Sequence, residues 1–150
     1  MRPAFLPLTV LFLAHSAGAQ SPFTYKGWEM KLGATTTAPS VGMGTIRQRE
    51  AGPNEKIVVL HFEAKRLDPA ESIFVKDFRL TDDSGKQYST DLLETFLYKG
   101  KKHHAADLPF TVPKNAKPAE LRLLACPNSN NKAAPTPECQ EVTFQLKKTP

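Results

Sequence analysis

The sequence predicts an all-β fold, two stacked antiparallel sheets of about seven short strands preceded by a cleavable leader. Three observations carry that expectation. Thirteen prolines against eight glycines in 150 residues leave little room for long helices, because an interior proline costs a helix about 3 kcal/mol. Several short stretches alternate apolar and polar residues, the period that lays one face of a strand on a core. Clusters of Pro, Gly, Asn and Asp separate these stretches and turn the chain. No compositional break divides the chain and no repeat recurs at a fixed period, so one domain is expected.

The first residues read as an export signal. Met1-Arg2-Pro3 is a short basic start, residues 4–14 are an apolar run, and Ala17-Gly18-Ala19 is a small-x-small exit. Eleven residues in a helix reach only about 16 Å, too little to cross a hydrocarbon layer of about 30 Å. Cleavage after Ala19 is expected, leaving residues 20–150 as the domain, in a secreted or periplasmic setting. Removing residues 1–19 takes away one arginine and no acid, so the formal charge of +5 becomes +4. No second apolar run is long enough to span a membrane.

Within 25–32, apolar Trp28, Met30 and Leu32 alternate with charged residues, as in a half-buried strand. Residues 33–53, rich in Thr, Gly, Pro and Ser, read as a long loop or weakly paired edge, with a possible short strand near 41–47. The clearest strand is 56–66: Val58, Leu60, Phe62 and Ala64 face one way, Ile57, Val59, His61 and Glu63 the other. Residues 73–82 follow, with Phe78 and Leu80 on one face. Asp82-Asp83-Ser84-Gly85 supplies a hairpin turn before Lys86-Gln87-Tyr88, since Gly tolerates positive φ and Asp hydrogen-bonds the turn. Residues 92–98 could form a strand or one helical turn, 108–112 a strand ended by Pro113, and 119–126 and 140–147 the last two strands. Trp28, Phe62, Phe78, Phe110 and Phe144 are the expected aromatic core.

Cys126 and Cys139 flank a proline- and asparagine-rich excursion. In an oxidising compartment such a pair reads as a disulfide, whose loop closure would stabilise the fold by about 3 kcal/mol.

Four stretches also fall in a recognisable order. They are Gly52 with Lys56-Ile57-Val58-Val59-Leu60, Val75-Lys76-Asp77-Phe78-Arg79-Leu80 with the hairpin through Tyr88, Pro109-Phe110-Thr111-Val112-Pro113 with Ala116 and Pro118, and Leu121-Arg122-Leu123. This succession resembles the bacterial extracellular immunoglobulin-like domains of unassigned function. The resemblance covers roughly residues 50–125 and implies a secreted immunoglobulin-like β-sandwich that binds something outside the cytoplasm. Its motifs are turns and core positions, so it implies no chemistry.

Chemistry is sparse. There is no G-x-S-x-G elbow, no H-E-x-x-H and, with both cysteines bridged, no thiol nucleophile, so the chain is expected to bind rather than turn over, without a cofactor. A pI near 9.3 invites a nucleic-acid reading, but no aromatics interleave the lysines as strand-stacking modules require. The candidate binding segment is Lys99, Lys101, Lys102, His103 and His104, read as a basic loop. It could grip an anionic cell-envelope component or a protein, and more firmly as its imidazoles protonate. The competing expectation is a periplasmic copper or zinc carrier in which His61, His103 and His104 meet, helped by Met30 or Met43. Adjacent histidines on a strand would face opposite ways, which counts against it.

Overall fold

A computed structural model describes residues 22–43, 47–90, 92, 94–128 and 138–146. The expected leader at 1–19 and residues 129–137 of the cysteine-bounded excursion lie outside them. Eleven strands run through the described residues: β1 (Phe23–Tyr25), β2 (Trp28–Ala38), β3 (Ser40–Met43), β4 (Arg47–Glu50), β5 (Glu55–Arg66), β6 (Ile73–Asp82), β7 (Gln87–Ser89), β8 (Glu94–Leu97), β9 (His103–Pro113), β10 (Pro118–Pro127) and β11 (Gln140–Gln145). None of the described residues is helical, and no helix there is long and apolar enough to cross a membrane.

One antiparallel sheet has the order β1-β2-β5-β9. The other runs β11-β10-β6-β7, with β8 also paired to β6. The expected sandwich is present, with more strands than the seven or so anticipated. The extra ones come from short hairpins. Lys26 and Gly27, both at positive φ, turn β1 into β2, where 25–32 reads as one strand from alternation alone. A Cβ at Gly27 would run into the backbone of Pro69 and Ala70, so the close approach also requires glycine there. Residues 33–53 are mostly strand rather than loop. The Thr35-Thr36-Thr37 run of β2 pairs with Val58, Val59 and Leu60 of β5, and β3 pairs with β4 as a separate ribbon. β-branched threonines suit an extended backbone even where neither face is buried.

The core lies between the sheets. Trp28, Met30, Leu60, Phe62, Leu108 and Phe110 from one sheet meet Ile73, Val75, Phe78, Leu80, Leu121, Leu123 and Phe144 from the other, all buried. The five aromatics expected inside are inside. Phe62 and Phe78 meet edge to face across the layers with ring centres 6.2 Å apart, and each such buried side chain is worth about 1.5–3 kcal/mol. Trp28 satisfies its one donor by giving Nε1–H to the Glu71 carbonyl at 2.6 Å.

Two local devices shape β6 and the turn after it. The β6–β10 register slips between Arg122 and Leu124 beside Asp77, which takes a φ of 56°. This bulge lets Val75 and Phe78, three residues apart, both point inward and turns Phe74 and Lys76 outward. The second device is the turn after β6. Asp82 accepts bonds at Oδ1 from the Ser84 amide (3.0 Å), the Ser84 hydroxyl (2.7 Å) and the Lys86 amide (2.9 Å), while the Tyr88 hydroxyl donates to Oδ2 at 2.8 Å. These donors, with the Ser84 hydroxyl foremost, lower the Asp82 pKa to about 2. Burial and the bond to that carboxylate push Tyr88 up to about 12. Cys126 and Cys139 are joined as a disulfide that ties the end of β10 to the start of β11, a bond that fits an oxidising, extracytoplasmic compartment.

Candidate functional site

The basic segment divides into a turn and a strand end. His103 and His104, expected in a loop, are the first residues of β9, because Lys65 and Ala64 of β5 pair with them. The turn proper is 98–102, and its backbone is held from several sides. Lys101 N–H bonds the Tyr98 carbonyl at 3.0 Å, and Lys99 N–H bonds Ser72 Oγ at 3.0 Å. Arg66 Nη1–H reaches the Lys99 carbonyl at 2.7 Å, and the Arg66 amide reaches that of Lys102 at 2.9 Å. Lys99, Lys101 and Lys102 point away from this scaffold and are exposed, with no carboxylate paired to them among the described residues. Three permanent charges therefore stand on a fixed support.

Aromatic rings continue the surface. Phe74, set outward by the bulge, lies opposite Phe96 of β8, ring centres 4.9 Å apart; Phe96 stacks on Tyr98 at 6.4 Å and 27°. Phe96 is 40% and Tyr98 54% exposed, so the strip is open to solvent beside the lysines. The Tyr98 ring lies across Gly100, where a Cβ would run into Cε2, Cζ and the hydroxyl. Phe74 and Phe96 are absent from the residues expected at the site. The readable signal was Phe96-Leu97-Tyr98, an alternation with Leu97 buried and both neighbours out.

The two histidines part company. His104 turns inward against Trp28, ring centres 5.3 Å apart and edge-on, and its Nε2 accepts the Tyr98 N–H at 3.2 Å. Burial lowers its pKa, and neighbouring Lys101 and His103 push the same way against the opposing pull of the Tyr98 carbonyl. It holds the β8–β9 turn as a neutral acceptor and adds no charge to it at neutral pH. His103 lies on the other face of β9, with Nε2 3.7 Å from Glu63 Oε1. His61, outward on β5 as expected, places Nδ1 2.7 Å from Asp107 Oδ1 and Nε2 3.8 Å from the same Glu63 oxygen. His61, His103 and His104 thus do not meet. Met30 is wholly buried, which removes it as a ligand, and the Met43 side chain lies outside what is described.

No protein-family model matches the chain, and no curated protein matches it. Among solved structures, a conserved hypothetical protein from Bacillus anthracis is similar, at 12% identity and a TM-score of 0.52. The match covers 87% of this chain and 95% of that one. The likeness shows the fold. At such identity it carries the two-sheet architecture and none of the surface just described.

Proposed function

We propose that this chain is an exported immunoglobulin-like module that binds an anionic component of the cell envelope, without turnover, through the 98–102 turn and the aromatic strip beside it. Support for export comes from the leader-like first nineteen residues and the Cys126–Cys139 bridge. Support for the immunoglobulin-like assignment comes from the order of motifs between Gly52 and Leu123 together with the two-sheet architecture. One observation carries the binding reading: three exposed lysines, with no carboxylate paired to them among the described residues, stand on a turn whose backbone is already fixed by Arg66, Ser72 and Tyr98. A preordered turn loses little conformational freedom on binding. Exposed Phe96 and Tyr98 supply the apolar flank that a purely electrostatic contact lacks.

The test is co-sedimentation with a washed envelope fraction. Replacing Lys99, Lys101 and Lys102 by glutamine should weaken capture at least about tenfold, since each cation near an anionic surface is worth about 1 kcal/mol. The melting temperature should not move, because none of the three side chains holds the fold. Undiminished capture by the triple variant would overturn the reading.

A further inference from the structure

β9 is the outermost strand of the four-stranded sheet. It pairs with β5 on one side, and among the described residues no strand pairs with it on the other. Two bonds show which of its backbone groups face that free edge. The Arg66 amide reaches the Lys102 carbonyl, and the Lys114 amide reaches that of Asn54, both at 2.9 Å. They lie at the two ends of one unbroken antiparallel register, with Lys65 opposite His103 and Glu55 opposite Pro113. Hydrogen-bonded pairs alternate with non-bonded ones along such a ladder. The even residues of β9 therefore turn their amides and carbonyls to β5, and the odd residues turn theirs outward.

Most of the outward set is blunted. Pro109 and Pro113 fall on it and have no N–H to offer another strand. At the near end the Lys101 amide is already bonded to the Tyr98 carbonyl. Between these stops lie His103, Ala105 and Asp107, all exposed, whose outward amides and carbonyls meet no backbone partner among the described residues. The window is self-complementary, with a methyl side chain in the middle, an imidazole at one end and a carboxylate at the other.

We propose that this window pairs with a second copy of the chain, as an antiparallel β9–β9 ladder centred on Ala105 that joins the two four-stranded sheets edge to edge. In that register Ala105 lies opposite the partner's Ala105, and His103 opposite the partner's Asp107, each pair exchanging both backbone bonds. The ends close cleanly, because Lys101, whose amide is used, comes opposite the partner's Pro109, which has none. A ladder shifted by two residues in either direction sets Pro109 or Lys101 against an outward group and loses a donor. Side chains agree with the backbone. Asp107 gives Oδ1 to His61 Nδ1 at 2.7 Å, which leaves Oδ2 for the partner's His103, and a cross-strand pair of this kind gains charge attraction when the ring is protonated. On the inner side the partner's small Ala106 comes opposite His104. A peptide of unrelated sequence would bond the same amides, but nothing would set an acid against His103 and an imidazole against Asp107.

Sedimentation equilibrium of the disulfide-bonded protein, from about 5 to 500 µM, tests this. A reversible monomer–dimer equilibrium is expected. Ala105→Pro deletes the central outward amide, which β5 does not use, and should weaken the dimer by roughly tenfold or more with the fold intact by circular dichroism. His103→Asp, which sets acid against acid, should weaken it by about 3–10-fold. In the parent protein, exchange at the amides of 103, 105 and 107 should slow as concentration rises, while that of Thr111, beyond Pro109, should not. A protein that stays monomeric to about 500 µM, whether or not its edge takes up a foreign peptide, would overturn the proposal. So would a folded Ala105→Pro variant that dimerises as tightly as the parent, or concentration-dependent protection confined to other strands.

Discussion

The turns that follow β6 and β8 are built by opposite means. After β6, one side chain makes the shape: Asp82 gathers two amides and two hydroxyls, and Gly85 at a φ of 90° completes the reversal. After β8, groups from elsewhere make it: Arg66 and Ser72 hold the Lys99 and Lys102 backbone, and His104 accepts from Tyr98. Both turns are polar, and composition alone does not tell them apart. The difference is where the side chains go. In the first, the Asp82 side chain satisfies the backbone of its own turn. In the second the backbone is satisfied by neighbours, and three lysines stand exposed.

Breaking the self-satisfied turn should have the larger effect on stability. Asp82→Asn removes a carboxylate whose folded pKa is lowered from 3.8 to about 2. A depressed carboxylate contributes stability that is present above 3.8 and is lost as pH falls through about 2. The variant should therefore melt below the parent at neutral pH and converge with it near pH 2, while envelope capture stays unchanged. Melting curves from about pH 2 to 7 check this. A variant that melts with the parent at pH 7 would show that the turn does not depend on Asp82.

Loosening the externally held turn should do less to stability and more to recognition. Ser72→Ala deletes the acceptor of the Lys99 amide. One exposed hydrogen bond of this kind contributes about 0.5–1.5 kcal/mol, so denaturant midpoints should move slightly. Capture should fall by a measurable fraction although no lysine is altered. Full capture with a lowered midpoint would mean that the lysines need no fixed support.

The same contrast explains what could be read in advance. β5 was legible because Val58, Leu60, Phe62 and Ala64 recur at every second residue, and all four are buried; only Ile57, read as facing the other way, is buried as well. The Asp82 turn was legible because its chemistry is local, within six residues. The aromatic strip was not, because counting back by twos from Phe78 and Leu80 puts Phe74 inside; only the slip at Asp77 turns it out. The first half of β9 was hidden for a related reason. His103-His104-Ala105-Ala106-Asp107 has little intrinsic preference for strand and is extended because β5 pairs with it along its whole length. The opposition of His61 and Asp107 follows from that pairing and is invisible until the register is known. The inward turn of His104, by contrast, was foreshadowed by the opposite facing of neighbours on a strand.

The proposed recognition surface is the β8–β9 turn and the strip beside it. Amide hydrogen exchange of the protein, free and adsorbed on washed envelope fragments, tests it most directly. Added protection is expected at residues 94–102 and around Phe74, with the amides of 83–86 exchanging as in the free protein. Protection confined to the far sheet, or to the 83–86 turn, would contradict it.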